Sequence, residues 1–425
     1  MSITKEIYKA YIDILREELV PAMGCTEPIA IAYAAAKARE VLGQIPDRVE
    51  VGVSGSIIKN VKSVIVPNTN QLKGISAAVA AGIVAGNAEK ELEVIADVTE
   101  EQAELIREYL EKTDIDVKCL EGNLTFEIVI VAYNAGNSAT IRIANYHTNI
   151  VLIKNNEEIL LETEVLGESE EGLTDRSIMN MKDICEFADM VDIKDVRDII
   201  ERQISYNSAI AEEGMRGNYG ANIGKIIIKT EGDSVRIRAK AMAAAGSDAR
   251  MNGCEMPVII NSGSGNQGIT CCVPVMEYAK EFKVSEEKLY RALVLSNLIA
   301  IYQKTGIGRL SAYCGAVSAG VAAGAGITYL HGLGYKEIKH TVVNALAITS
   351  GMICDGAKAS CAAKIAMSVD AGVLGFEMYR NDQQFYGGDG IVAKGVDATI
   401  RNVGCLGKDG MKETNQTIID MMMRC

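Results

Sequence analysis

Apolar residues recur three and four apart at Ile7, Tyr11, Ile14, Leu15 and Leu19, so residues 4–20 form an amphipathic helix that Pro21 ends. The pattern restarts in AMGCTEPIAIAYAAAKAREVLG, where Thr26 is the expected N-cap, Glu27 and Pro28 suit the first turn, and Gly43 closes the helix. RVEVGVSGSIIKN and VKSVIVPNTNQLKG then read as short strands broken at Gly55, Pro67 and Asn68, with loops of functional rather than simple hairpin type. Residues 75–85 form a small-residue helix. ELEVIADV reads as a strand, TEEQAELIREYLEKT as a helix with a capping box at Thr99 and Gln102, and DIDVKCL as a strand. The runs TFEIVIVAY, ATIRIAN, NIVLIKN and EILLETEV alternate with Asn/Gly/Glu turns, as in an antiparallel meander. After the acidic linker GESEEGLTD the period is helical: 176–187, 193–215, 234–250, a helix from SGSGNQG to EYAKEF, then 285–304, 310–330, 336–350 and 358–374. GNYGANIG reads as a Gly-rich interruption among them.

The fold class that follows is α+β. N-terminal helices (1–45), carrying Cys25, pack on the helical domain; a small α/β domain with its meander covers 46–165; a mostly helical domain covers 175–425. The 425 residues carry 43 basic and 56 acidic side chains, a net charge of −13, which excludes the basic footprint of nucleic-acid or anionic-membrane binding. Leu310 to Tyr335 has no charged residue, but its Ala/Gly-rich texture marks a buried core helix rather than a membrane span. Gly320 and Gly324 would permit close helix contact there. Eleven dispersed cysteines are not a disulfide framework, and the charged N-terminus is not a secretory signal, so a reducing cytoplasm is expected.

Composition changes little else; the cysteines change the chemistry. Cys314, Cys354 and Cys361 lie 40 and 7 residues apart in Gly/Ala-rich surroundings. Thiolates suit zinc, copper(I) or iron–sulfur clusters, and three of them leave one metal position open. The same spacing also admits buried, inert cysteines. Cys25 precedes a helix N-terminus, where partial positive charge favours a thiolate, although Glu27 beside it opposes one. In SGSGNQG, Ser264, Gly265, Asn266 and Gln267 offer close backbone approach and polar donors for a carboxylate; an ordinary turn is the alternative. Ser54 and Gly55 are weaker candidates, and Arg309 suits bidentate carboxylate binding. Asp248 and Arg250 are expected to pair or to cap locally, and His147 is either an acid/base group or structural.

Taken together and in this order, AMGCTEPIAIAYAAAKA, SGSIIKN, HTNI, GSDARM, SGSGNQG and YCG…GMICDGAKASCAAK resemble the L-cysteine desulfidase family, a relative of the iron–sulfur L-serine dehydratases through its C-terminal half. The resemblance spans nearly the whole chain. It implies a [4Fe–4S] cluster on Cys314, Cys354 and Cys361, with Cys25 of the G-C-T-E-P motif as base. The implied reaction cleaves L-cysteine to hydrogen sulfide, ammonia and pyruvate without pyridoxal phosphate. It implies a small-molecule substrate, no nucleic acid or membrane partner, and admits a homodimer. Serine in place of cysteine and a non-catalytic cluster-bearing sensor are the competing readings. Cys425, at the end of a Met-rich tail, is a candidate fourth cluster ligand.

Overall fold

The computed structural model describes residues 3–122, 124–165, 167 and 173–424; Cys425 and its expected reach to a cluster lie outside them. Helix α1 (Lys5–Glu18) starts where the Thr4 hydroxyl accepts the Ile7 N–H at 3.3 Å. Its apolar stripe, including Tyr11, Ile14 and Leu15, is buried in the large helical core, with Tyr11 edge-on to Phe187. Strand β1 (Pro21–Met23) leads into helix α2 (Thr26–Leu42), which Gly43 ends in the left-handed conformation. The first helical residue is Thr26, so the N-cap is Cys25 itself rather than Thr26. The expected 1–45 unit thus divides: α1 packs on the helices, while α2 packs with the sheet.

Strand β2 (Arg48–Val53) is followed by α3 (Gly55–Val61), α4 (Gly74–Ala85), α5 (Glu100–Lys112) and β3 (Asp114–Cys119). Then come β4 (Glu127–Asn134), β5 (Asn137–Ala144), β6 (Ile150–Asn155) and β7 (Glu158–Glu162), the antiparallel meander read from the sequence. Sheet order is β3-β2-β4-β5-β6-β7, with β2 and β3 parallel because three helices cross between them. Alternate residues Ile128, Ile130 and Ala132 of β4 and Ala139, Ile141 and Ile143 of β5 are buried, as a sheet with one face on the core requires. Arg39 of α2 donates to the carbonyls of Ile83 and Gly86 and so caps the end of α4.

Three readings of this region need correction. RVEVGVSGSIIKN is strand β2, ending at Val53, followed by helix α3 with Ser54 as its N-cap. VKSVIVPNTNQLKG is a loop with one bridge, Ile65 to Lys73, and its Asn68, Asn70 and Gln71 have positive φ, which a strand cannot hold. ELEVIADV is a 3₁₀ turn and loop: Asn87 accepts the Glu89 N–H, and Leu92, Val94 and Ile95 anchor the turn in the core.

The remainder is helical: α6 (Met181–Met190), α7 (Ile193–Arg216), α8 (Ile223–Glu231) and α9 (Val235–Met251), then strand β8 (Pro257–Ile259). It continues with α10 (Gly265–Phe282), α11 (Glu286–Ile307), α12 (Gly315–Leu330), α13 (Tyr335–Thr349), α14 (Cys361–Arg380), α15 (Val396–Cys405) and α16 (Lys412–Arg424). Helix α8 and the β1–β8 pair were not expected from the sequence. No helix among the described residues is long and apolar enough to cross a membrane. The small-residue face of α12 meets α14 instead. A Cβ on Gly320 would come 2.4 Å from the Ser368 carbonyl carbon, and one on Gly324 would come 2.6 Å from the Gly372 oxygen. These steps of four on both helices make the pair parallel, so the N-termini of α12 and α14 share one end.

Candidate active site

At that end lies a cavity of about 100 Å³, lined by Cys25, Glu27, Asn60, Arg250, Ser264, Asn266, Gln267, Lys304, Arg309, Cys314, Cys354 and Cys361 among others. Four helices begin at it. Cys25 is the N-cap of α2, Ser264 of α10 and Cys314 of α12, and Cys361 is the first residue of α14. Each N-terminus presents unpaired N–H groups and partial positive charge, so the cavity attracts anions.

The thiols arrive there by three local devices. Cys314 and Cys354 are aligned by a short ladder: the Cys314 N–H donates to Met352 O (3.1 Å), the Cys354 N–H to Ala312 O (2.7 Å), and Tyr313 bridges Ile353. Cys361 is fixed by the α12–α14 contact, and its thiol turns to the Gly356 carbonyl at 3.7 Å. Gly24, at φ +52°, turns the chain from β1 so that Cys25 faces the cavity; a Cβ there would lie 2.3 Å from Pro67. The Thr26 hydroxyl then donates to Gly263 O at 2.8 Å, fastening the α2 start to the SGSGNQG loop.

Charge at the site is one-sided. The Cys314 thiol hydrogen-bonds Cys354, which pulls Cys354 toward the thiolate and pushes Cys314 up. The buried cations Lys59 and Lys304 favour the Cys354 thiolate further. Lys59 donates to Asn415 Oδ1 (2.6 Å) and, more weakly, to the Ser311 and Cys354 carbonyls, and burial lowers its pKa. Lys304 reaches the Arg309 carbonyl at 3.4 Å, and burial brings it down to about 8. Among the described residues no three His, Cys, Asp or Glu side chains gather tightly enough for a single metal ion. An iron–sulfur cluster asks for something else, thiolates spread over separate iron atoms. Three thiols on one cavity wall, beside buried cations and helix N-termini, fit an anionic cluster of that kind.

Cys25 departs from the sequence expectation of a depressed pKa. Burial pushes the thiol well up, Glu27 adds to this, and the opposing pull of Arg250 is smaller. The resting group is a thiol that donates to Glu27 Oε2 at 3.0 Å.

The arginines exchange roles. Arg309 lines the cavity, but its fork is filled by Glu18, with Nη2 to Oε1 at 2.7 Å and Nη1 to Oε2 at 3.2 Å; Arg176 shares that carboxylate at 2.8 Å. Asp248 and Arg250 do not pair. Asp248 turns to α8, accepting the Ile223 N–H at 2.6 Å, and burial raises it to about 6. Arg250, 3 % exposed, lines the cavity with no ion pair or hydrogen bond among the described residues. A buried guanidinium left this way waits for an anion. Gly265 makes room for it: a Cβ there would sit 2.3 Å from Arg250 Nε.

Ser264, Asn266 and Gln267 line the cavity beside Arg250, and Asn266 Oδ1, Gln267 Oε1 and Asn60 Oδ1 are buried acceptors without a partner among the described residues. Ser54 and Gly55 stand elsewhere: Ser54 Oγ donates to Thr125 O at 2.8 Å, and Gly55 faces Ile419 of α16. His147 packs edge-on to Phe126 behind Gly263 and opens on a neighbouring cavity. Burial lowers it to about 4, so it is neutral at pH 7. The sequence reading missed Asn60, Lys59 and Lys304 altogether and named Arg250 and Glu27 without a place in a substrate site. Four of the five sat inside the motifs quoted for the resemblance, which offered the signal without the roles.

The pattern of the serine dehydratase alpha chain matches residues 89–420, which hold the three clustered cysteines and Arg250. A UPF0597 protein of Desulfitobacterium hafniense (strain Y51) is 61 % identical over 98 % of this chain and 97 % of its own. UPF0597 proteins of Lachnoclostridium phytofermentans and Treponema denticola are 51 % and 50 % identical, over 98 % and 100 % of this chain and all of theirs. With a match over most of its length and relatives that run end to end with it, the chain belongs to the serine dehydratase alpha chain family.

Proposed function

We propose that the protein is an L-cysteine desulfidase, an iron–sulfur-dependent lyase that eliminates hydrogen sulfide from L-cysteine to leave ammonia and pyruvate. The observation that carries this is the cavity in which three thiols share the walls with Cys25 and with Arg250, which has no ion pair or hydrogen bond among the described residues. Cys314, Cys354 and Cys361 would hold a [4Fe–4S] cluster, and with only three thiolates it would supply a Lewis acid to polarise the leaving group. Arg250 binds the α-carboxylate through its fork, on the positive end of α10. The open acceptors of Asn266 and Gln267 suit the α-ammonium group. Held at both ends, the substrate is fixed with its Cα–H toward Cys25, the general base. Elimination gives aminoacrylate, which tautomerises to an imine and hydrolyses in water.

The motif resemblance favours L-cysteine; the serine dehydratase alpha chain match favours L-serine as a second reading, with hydroxide leaving in place of sulfide. The deciding experiment is anaerobic purification with iron reconstitution. Sulfide and pyruvate are then measured with L-cysteine, and pyruvate with L-serine. Equimolar sulfide and pyruvate from cysteine, dependent on about four irons per chain, is the expected result. Equal turnover by iron-free protein would overturn the reading.

A further inference from the structure

Glu27 is the second residue of α2, 7 % exposed, and its carboxylate faces the cavity. Its two oxygens are differently engaged. Oε1 accepts Asn60 Nδ2 at 2.9 Å; Oε2 accepts the Cys25 thiol at 3.0 Å and lies 3.1 Å from the Thr26 hydroxyl. No lysine or arginine forms an ion pair with it among the described residues. A structural carboxylate this deep is normally paired with a cation. Its hydrogen-bond donors are all neutral, with the charge of Arg250 acting on it from beyond ion-pair distance, and one of those donors is the very thiol that must give up its proton. The thiol in turn has no other acceptor: Cys25 Sγ donates to Glu27 and to nothing else among the described residues.

We propose that Glu27 is the proton acceptor that activates Cys25, an inference that rests on the elimination proposed above. The Cys25 Sγ–H proton passes to Glu27 Oε2, leaving a thiolate at the N-terminus of α2. That thiolate takes the substrate Cα proton. The Cα–H electron pair becomes the Cα=Cβ bond, and the Cβ–S bond breaks with its pair on sulfur. The proton stored on Glu27 then passes to the departing sulfide, or to hydroxide if serine is the substrate. Cys25 ends as a thiol and Glu27 as a carboxylate, the hydrogen-bonded state that the structure holds. Asn60 keeps Oε1 occupied, so that Oε2 is the oxygen offered to the proton.

In the simplest alternative Glu27 only opposes the thiolate, and removing its charge would help catalysis. The two are separated with Glu27→Gln and Glu27→Asp in reconstituted enzyme, measuring iron content, KM, kcat and the isotope effect with [2-²H]-L-cysteine. As a proton acceptor, Glu27→Gln loses about 10²–10⁴-fold in kcat, the range of general acid–base groups, with KM and iron content within about threefold of wild type. Glu27→Asp recovers part of the rate and shows a larger isotope effect, because Cα–H cleavage has become the slow step. A Glu27→Gln rate equal to or above wild type overturns the proposal, and so does a loss of iron in both variants. If wild-type enzyme releases neither sulfide nor pyruvate, the elimination itself fails and this step with it. Wild-type turnover with an unimpaired Glu27→Gln variant overturns only the role of Glu27.

Discussion

Arg250 lies across Gly265 so closely that a single methyl group on that glycine would meet its Nε at 2.3 Å. The two residues come from the end of α9 and the start of α10, and the absent side chain of one makes the seat of the other. Arg250→Met should therefore raise KM for the amino acid about 10- to 100-fold, as expected for losing charge-assisted hydrogen bonds of about 1.5–3 kcal/mol. Gly265→Ala should raise it nearly as far by displacing the guanidinium. Steady-state kinetics beside iron content checks both, and an unchanged KM in Arg250→Met would return the carboxylate to another group.

The four cavity cysteines should divide cleanly. Cys314→Ser, Cys354→Ser and Cys361→Ser each remove one seat of the cluster, so brown colour and iron per chain should fall together with turnover. Cys25→Ser should keep the colour and iron while kcat drops by about 10²–10⁴-fold. Visible spectra and iron assay on anaerobic protein decide this. Full turnover in Cys25→Ser would remove that thiol from the reaction.

What the sequence disclosed and what it hid follow one physical distinction. Local periodicity carried the long helices, the meander β4–β7 and the Thr99–Gln102 capping box, because such elements are specified by residues three, four or two apart. The strands β1 and β8, three residues each, were invisible because each is defined by a partner more than two hundred residues away. The same distance misassigned the arginines. Arg309 is satisfied by Glu18, 291 positions off, and Arg250 has no partner among the described residues because Asp248 turns to α8, a helix hidden behind GNYGANIG. Cys25 was placed correctly beside a helix start, but burial and Glu27 overrode the helix dipole that a local reading favours.

The Glu18–Arg309–Arg176 cluster is a wall of the site rather than a binding group, and it should report through stability. Glu18→Gln removes the buried carboxylate that both guanidiniums share, Arg176 keeping Glu17 at 2.9 Å, which should cost about 3 kcal/mol, the lower end for a broken buried pair. Burial pushes the Glu18 carboxyl up, but Arg309 and Arg176 bring it below the ordinary 4.5. A carboxylate lowered on folding contributes stability that is complete above its unfolded value and is lost as pH falls through the folded one. The gap between wild type and Glu18→Gln should thus be full at pH 7 and shrink below about pH 4.5. Denaturant unfolding across pH 3–7 measures it; a gap that widens toward acid would contradict the ion network.

Spacing of the cluster thiols should depend on glycines that touch no ligand. Gly320 and Gly324 bring α12 against Ser368 and Gly372 of α14, and this contact sets Cys314 level with Cys361. Gly324→Ala forces a methyl group to within 2.6 Å of the Gly372 carbonyl oxygen, so the helices must separate. Overpacking of this kind costs about 1–3 kcal/mol, and the shift is transmitted along a rigid helix to its first residue. The expected result is reduced iron per chain after reconstitution as well as reduced stability. Gly334→Ala, at the N-cap of α13 with nothing within 4 Å of the new methyl, should leave iron loading unchanged and serves as control for it. Full iron loading in a destabilised Gly324→Ala would mean that the Tyr313–Ile353 bridge alone holds the thiols in place, and that the helix contact contributes only packing.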